Sequence, residues 1–128
     1  MKYYINKTLN ADFNYVVEKI TTLLKEKGFG IITEIDIRDT LKKKLDVDFK
    51  KYVILGACNP NFAYNALQQE DLIGVLLPCN VIIIEQEKGK VEVATMNASE
   101  TMRMTGNTSL QEIADTVNEH LEDIIRRV

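Results

Sequence analysis

The chain has no tryptophan, one histidine, two prolines and two cysteines among its 128 residues. Each shortage removes a class of protein. Two cysteines, Cys58 and Cys79, are too few for the disulfide frameworks that hold small secreted domains together. A lone histidine, His120, would have to serve any Ser-His-Asp or Cys-His site. With no tryptophan and few aromatic residues near the lysines, there is little on which nucleic-acid bases would stack. Basic excess is also missing. Sixteen basic and nineteen acidic side chains leave a formal charge of −3, the wrong sign for a dedicated nucleic-acid binder.

Long hydrophobic runs are equally absent. The longest mostly apolar stretch, Leu72 to Ile84, has 13 residues and includes Pro78, Cys79 and Asn80, whereas a membrane helix needs about 20 apolar residues. The segment Met1 to Lys7 lacks the apolar core of a signal peptide. The expectation is a cytoplasmic protein with reduced thiols and no membrane or nucleic-acid partner. No G-x-G-x-x-G follows a strand and no P-loop occurs, so nucleotide cradles of those types are excluded. No repeat or low-complexity linker divides the chain, which reads as a single domain over 1–128.

What is present is an ordinary globular balance, 45% hydrophobic and 27% charged. Tyr3 to Thr8 reads as a strand. Asn10 is placed to cap a helix to about Lys27, with Phe13, Val16, Val17, Ile20, Leu23 and Leu24 on one face and Gly28 past its end. Gly30 to Asp36 reads as a second strand, followed by a short helix over Arg38 to Leu45. Tyr52 to Ala57 is a third strand, and Asn59-Pro60 opens a helix, with proline at its first position. Leu72 to Pro78 is expected to be a buried irregular connection. Asn80 to Glu87 and Lys90 to Met96 form a hairpin across Lys88-Gly89. Asn97 to Asn107 reads as a polar loop. Thr108 or Ser109 would cap a last helix, whose stripe includes Leu110, Ile113, Val117 and Leu121. Its opposite face, with Glu112, Asp115, Glu119, Glu122 and Asp123, is expected to be wet. The pattern is α+β with a mostly antiparallel sheet.

The cysteines are the most informative residues, because both precede asparagine: Cys58-Asn59 ends the third strand and Cys79-Asn80 begins the fourth. If those strands pair antiparallel, both thiols reach one rim of the sheet. Three chemistries fit. A soft metal such as Cu(I) or Zn would take Cys58 and Cys79 with Met96 or an oxygen ligand. A nucleophilic Cys58 would lie before a helix N-terminus, with Asn59 donating hydrogen bonds. Alternatively both thiols are small buried apolar groups, as free cysteines usually are. The 20 residues between them match no standard zinc spacing. Glu34 and Asp36 share one strand face, where they are either acid–base partners or a solvated face and helix cap. His120 reads as a surface residue. Residues 38 to 51 carry six basic and three acidic side chains, and the last helix is acidic. Such blocks are solvated faces, or complementary halves of a subunit interface.

The segments Gly28-Phe29-Gly30, Thr33 to Asp36, Leu41 to Leu45, Tyr52 to Pro60 and Gly74 to Val81 carry a resemblance. Over nearly the whole chain the sequence resembles the bacterial and archaeal family called domain of unknown function 302. The resemblance implies an α+β fold in the TATA-box-binding-protein-like arrangement: strand, helix, four strands, helix, here with an extra helix between the third and fourth strands. It implies a homodimer and no established activity. Where the family pattern has Asp-Pro after the last strand, this chain has Asn97-Ala98. The leading expectation is binding of a small ligand or soft metal by Cys58, Asn59, Cys79, Asn80 and Glu34, with Met96 as an extra metal ligand. The alternatives are a cysteine-dependent enzyme using Cys58, and an oligomeric interaction module with structural cysteines. A dimer is expected to use a sheet edge or the connection around Gly74 to Leu77.

Overall fold

The computed structural model describes residues 2–128. Five strands form one antiparallel sheet: β1 Tyr4–Asn10, β2 Gly30–Asp36, β3 Tyr52–Cys58, β4 Cys79–Glu87 and β5 Lys90–Met96. Their spatial order is β1-β5-β4-β3-β2, so β4 is central and β1 and β2 are the edges. The helices are α1 Phe13–Glu26, α2 Ile37–Leu45, α3 Pro60–Gln69, α4 Ala98–Arg103 and α5 Thr108–Arg127, with a 3-10 helix at Asp71–Leu76. This is the expected α+β architecture. Among the described residues no helix is long and apolar enough to cross a membrane.

The core follows from periodicity. In α1 the residues Phe13, Val16, Ile20, Leu23 and Leu24 recur at three and four and are buried. Leu110, Ala114, Val117, Leu121, Ile124 and Ile125 do the same in α5. Both stripes pack on alternate strand residues, including Leu55, Val81, Ile83, Val91 and Val93.

Each of the five α-helices α1 to α5 begins on an aspartate or asparagine cap. Asp12 accepts a hydrogen bond from the Tyr15 amide and Asp36 from that of Asp39. Asn59, Asn97 and Asn107 cap α3, α4 and α5. Two expected caps therefore move. Asp12 displaces Asn10, which remains in β1, and Asn107 displaces Thr108 and Ser109; asparagine and aspartate are at least as good as serine or threonine at this position.

Two segments differ more. Asn97 to Asn107 is not simply a polar loop. Asn97 opens α4, whose Ala98 and Met102 are buried. The connection after α3 is a 3-10 helix that buries Ile73 but leaves Leu72 and Val75 exposed at 74% and 83%. Its short repeat offers only one inward position per turn. The acidic face of α5 is also not uniformly wet. Asp123, 23% exposed, pairs with Lys27 at 3.2 Å and ties α5 to the end of α1. That pairing is the first cause holding its carboxyl below the usual aspartate range.

Candidate functional site

A cavity of about 340 Å³ lies where the ends of β3 and β4 meet α3, α4 and α5. Its walls include Phe29, Phe62, Leu77, Met102, Leu110 and Val117, with Cys58, Asn59 and Cys79 supplying heteroatoms. Three local features shape it. Ile31 pairs with Ala57 and Thr33 with Gly56, so Ile32 is an extra residue in β2; this bulge lets Ile32 join the cavity wall. Gly56 has Thr33 and Pro78 so close that a Cβ would sit 2.1 Å from Thr33 Oγ1 and 2.9 Å from Pro78 Cγ. Asn59 Oδ1 accepts from the Asn61 and Phe62 amides, while its Nδ2 donates to the Lys27 carbonyl at 3.2 Å. One side chain thus fixes the start of α3 and joins it to the end of α1. There Gly28 adopts φ +84°, and a Cβ would press on Asn59 Nδ2 at 3.0 Å.

Comparison with known proteins matches the family model "Domain of unknown function DUF302" to residues 5–128. The chain belongs to the DUF302 family. It is also similar to a solved structure described as an uncharacterized conserved protein DUF302 from Bacillus stearothermophilus. The two are 26% identical, the alignment covers 99% of this chain and 98% of that one, and the TM-score is 0.91. No protein of curated function matches.

In this DUF302 chain the two Cys-Asn segments meet at one end of the sheet but are not equivalent. Ala57 lies opposite Cys79, which puts Cys58 one position beyond that pair. Cys79 is buried and Cys58 half-buried, and both are free thiols. Burial, with a smaller contribution from the Cys58 charge, pushes the Cys79 thiol up to about 11. Cys79 is therefore a neutral thiol at physiological pH. An unfolded chain would release that proton nearer the ordinary value of 9.0. Between those values the unfolded state binds fewer protons, so Cys79 contributes a loss of stability as pH rises.

The same shift governs reactivity. Raising the thiol from 9.0 to about 11 cuts its thiolate fraction about a hundredfold at neutral pH. Alkylation followed by peptide mass mapping at pH 7.5 should label Cys58 first. Labelling of Cys79 should lag well behind an unstructured cysteine peptide and accelerate toward pH 11. Equal rates for Cys79 and the peptide would contradict its burial.

Of the residues singled out in the sequence, Cys58, Asn59 and Cys79 line the cavity. Asn80, Glu34 and Met96 are not among its lining residues. The Asn80 side chain is exposed, and its backbone carbonyl accepts from Thr95 Oγ1. Glu34 is exposed on edge strand β2, and Met96 pairs with Tyr4 across β1 and β5. The thioether in the wall belongs to Met102. Among the described residues no group of three or more His, Cys, Asp or Glu side chains is placed to hold a metal ion.

His120 is not a plain surface residue. Its ring lies 6.5 Å from that of Phe29 and 5.9 Å from that of Phe62, both cavity residues. Sequence reasoning also missed Asn118, buried in α5. Its Oδ1 accepts from the Ala98 amide at 2.8 Å, and its Nδ2 donates to Glu122. A signal existed: residue 118 stands four after Ala114 and three before Leu121, on the apolar stripe.

Proposed function

We propose that this protein binds a small, uncharged, apolar ligand in the cavity between the ends of β3 and β4 and the helices α3, α4 and α5. The observation that carries this reading is the composition of the wall: aliphatic, aromatic and sulfur side chains, with Asn59 contributing the one side-chain amide. A volume of about 340 Å³ is at the small end of ligand pockets. The thiols and the Met102 thioether are soft, polarisable surfaces suited to apolar contact. A soft metal is less well served, because two thiols are present without a third strong donor. Covalent catalysis has less support too. Cys79 is held protonated, and Asn59 already occupies two of the amides at the start of α3.

Titration with the uncharged fluorophore N-phenyl-1-naphthylamine tests the reading. The native chain should give saturable emission with one site per chain. Ala114, 4% exposed in the wall, can be enlarged to fill the space. Ala114→Leu should weaken probe binding at least about tenfold, a difference of about 1.4 kcal/mol, while leaving the melting temperature unchanged or raised. A folded Ala114→Leu protein that binds the probe as well as the native chain would refute the cavity as the site. Ala63→Leu, from α3, provides a second filling of the same space.

A further inference from the structure

Binding of an apolar ligand leaves one pair of reactive groups in the cavity wall without a task. Cys58 and Cys79 are both free thiols, and both line the same cavity. Register explains how they come together. Ala57 and Cys79 face each other across β3 and β4, so Cys58 is the diagonal neighbour of Cys79. With strands about 4.8 Å apart and about 3.4 Å of rise per residue, the two Cα atoms are about 6 Å apart. That falls in the range over which two cysteines can be bridged. Strict alternation would turn Cys58 to the opposite face of the sheet. However, β3 ends at this residue and the chain turns at Asn59 into the cap of α3, so alternation does not fix where Cys58 points. Cys79 also feels the charge of Cys58, the second cause after burial of its raised thiol.

The surroundings narrow what can bridge them. No charged side chain lines the cavity, so a charged guest would be buried unpaired. Among the described residues no third His, Cys, Asp or Glu joins the two thiols, and zinc would have half its usual set of ligands. A trivalent arsenic atom that already carries one carbon substituent needs two further bonds and no more. In water it is an uncharged dihydroxide, and as a soft centre it prefers sulfur to oxygen. An apolar cavity of about 150 Å³ is enough for benzene. The cavity here, about 340 Å³, has room for an aryl or short alkyl group against Phe29, Phe62 and Met102.

We propose that Cys58 and Cys79 together capture an uncharged trivalent organoarsenical whose organic group occupies the cavity. The inference rests on the proposed ligand site for the space that takes this group, and adds two covalent contacts to it. The exchange balances without an oxidant. Cys58, the more accessible thiol, forms the first arsenic–sulfur bond, and its proton goes to an arsenic hydroxyl that leaves as water. Cys79 repeats the step with the second hydroxyl. Two S–H and two As–O bonds break, two As–S and two O–H bonds form, and arsenic stays trivalent. Because Cys79 is a neutral thiol, it brings the proton that its leaving hydroxyl requires.

Phenylarsine oxide, which hydrates to such a dihydroxide, is the probe. Native mass spectrometry of the reduced full chain should show one phenylarsenic group in place of two hydrogens. Dithiothreitol should remove it, and glutathione at the same thiol concentration should not, because only linked sulfurs compete with a chelate. Cys58→Ala and Cys79→Ala should each raise the dissociation constant at least about 100-fold by ending that chelation. Cys58 is half-buried at the end of β3, so Cys58→Ala removes little from the core; it decides the matter should Cys79→Ala fail to fold. The bound arsenical should also exclude N-phenyl-1-naphthylamine. A folded Cys58→Ala protein that holds the probe as tightly as the native chain overturns the proposal. So does an adduct that glutathione strips as readily as dithiothreitol, or a fluorophore that binds unchanged beside the arsenical. The two readings fail separately: the fluorophore needs the cavity and no thiol, so its binding should survive Cys58→Ala, whereas the arsenical needs both sulfurs.

Discussion

Leu121→Ala should lower the unfolding free energy by about 2–5 kcal/mol, the largest stability effect expected of a single truncation on α5. Leu121 is 1% exposed and lies on the stripe between Val117 and Ile124, facing the core shared with α1 and the sheet. Truncation removes three buried carbon atoms and leaves a space that the surrounding β-branched side chains are too stiff to fill completely. Glu119, exposed on the opposite face, is the matched control; Glu119→Ala should change stability by no more than about 0.5 kcal/mol. Urea unfolding at one fixed protein concentration measures both. The concentration must be held because self-association would add to the apparent stability. A Leu121→Ala loss no larger than that of Glu119→Ala would place the stripe away from the core.

Asn118→Ala should cost about 1–3 kcal/mol and should act at the cavity as well as on α5. Asn118 reaches the Ala98 amide at the start of α4, one turn before Met102 in the cavity wall. Without its Oδ1 that buried amide has lost its acceptor, and the Glu122 carboxylate loses a donor. Helix α4 has six residues, too few to hold itself in place. Amide hydrogen exchange should therefore quicken across Ala98 to Met102 more than across β4. Probe binding should weaken although residue 118 does not touch the cavity. An effect on global stability with unchanged exchange in α4 would show that Asn118 serves α5 alone.

The sequence was most legible where a period repeats. The stripes of α1 and α5, the five strands and the Lys88-Gly89 hairpin all rest on several residues pointing to one answer. Short elements were harder. In α4 the residues Ala98 and Met102 provide a single apolar spacing within six residues, so its helix depends on a tertiary contact from Asn118. The bulge at Ile32 was hidden because Ile31-Ile32 breaks alternation without fixing the register. At the site, antiparallel pairing brought the Cys-Asn segments to one end of the sheet. The remaining walls come from Phe29, Phe62, Met102 and α5, whose convergence depends on how helices cross over the strand ends, and local pattern carries no information on that. The apolar outer face of the sheet was written in the strands as missing alternation, yet it becomes visible only when register separates Ile54 and Ile82 from Leu55 and Ile83.

The asparagine caps give the molecule an uneven response to chemical ageing. Hydrolysis of an asparagine amide leaves an aspartate, which keeps the oxygen acceptor and adds negative charge at the favourable end of a helix. At Asn97, where Oδ1 alone is engaged, that change should pass almost unnoticed. At Asn59 the lost nitrogen was the donor to the Lys27 carbonyl, and the new carboxylate would confront that carbonyl instead. One hydrolysed amide there would loosen the junction of α1 and α3 beside Cys58. Pro60 guards this position, because a proline nitrogen carries no N–H and cannot close the ring through which asparagine usually loses its amide.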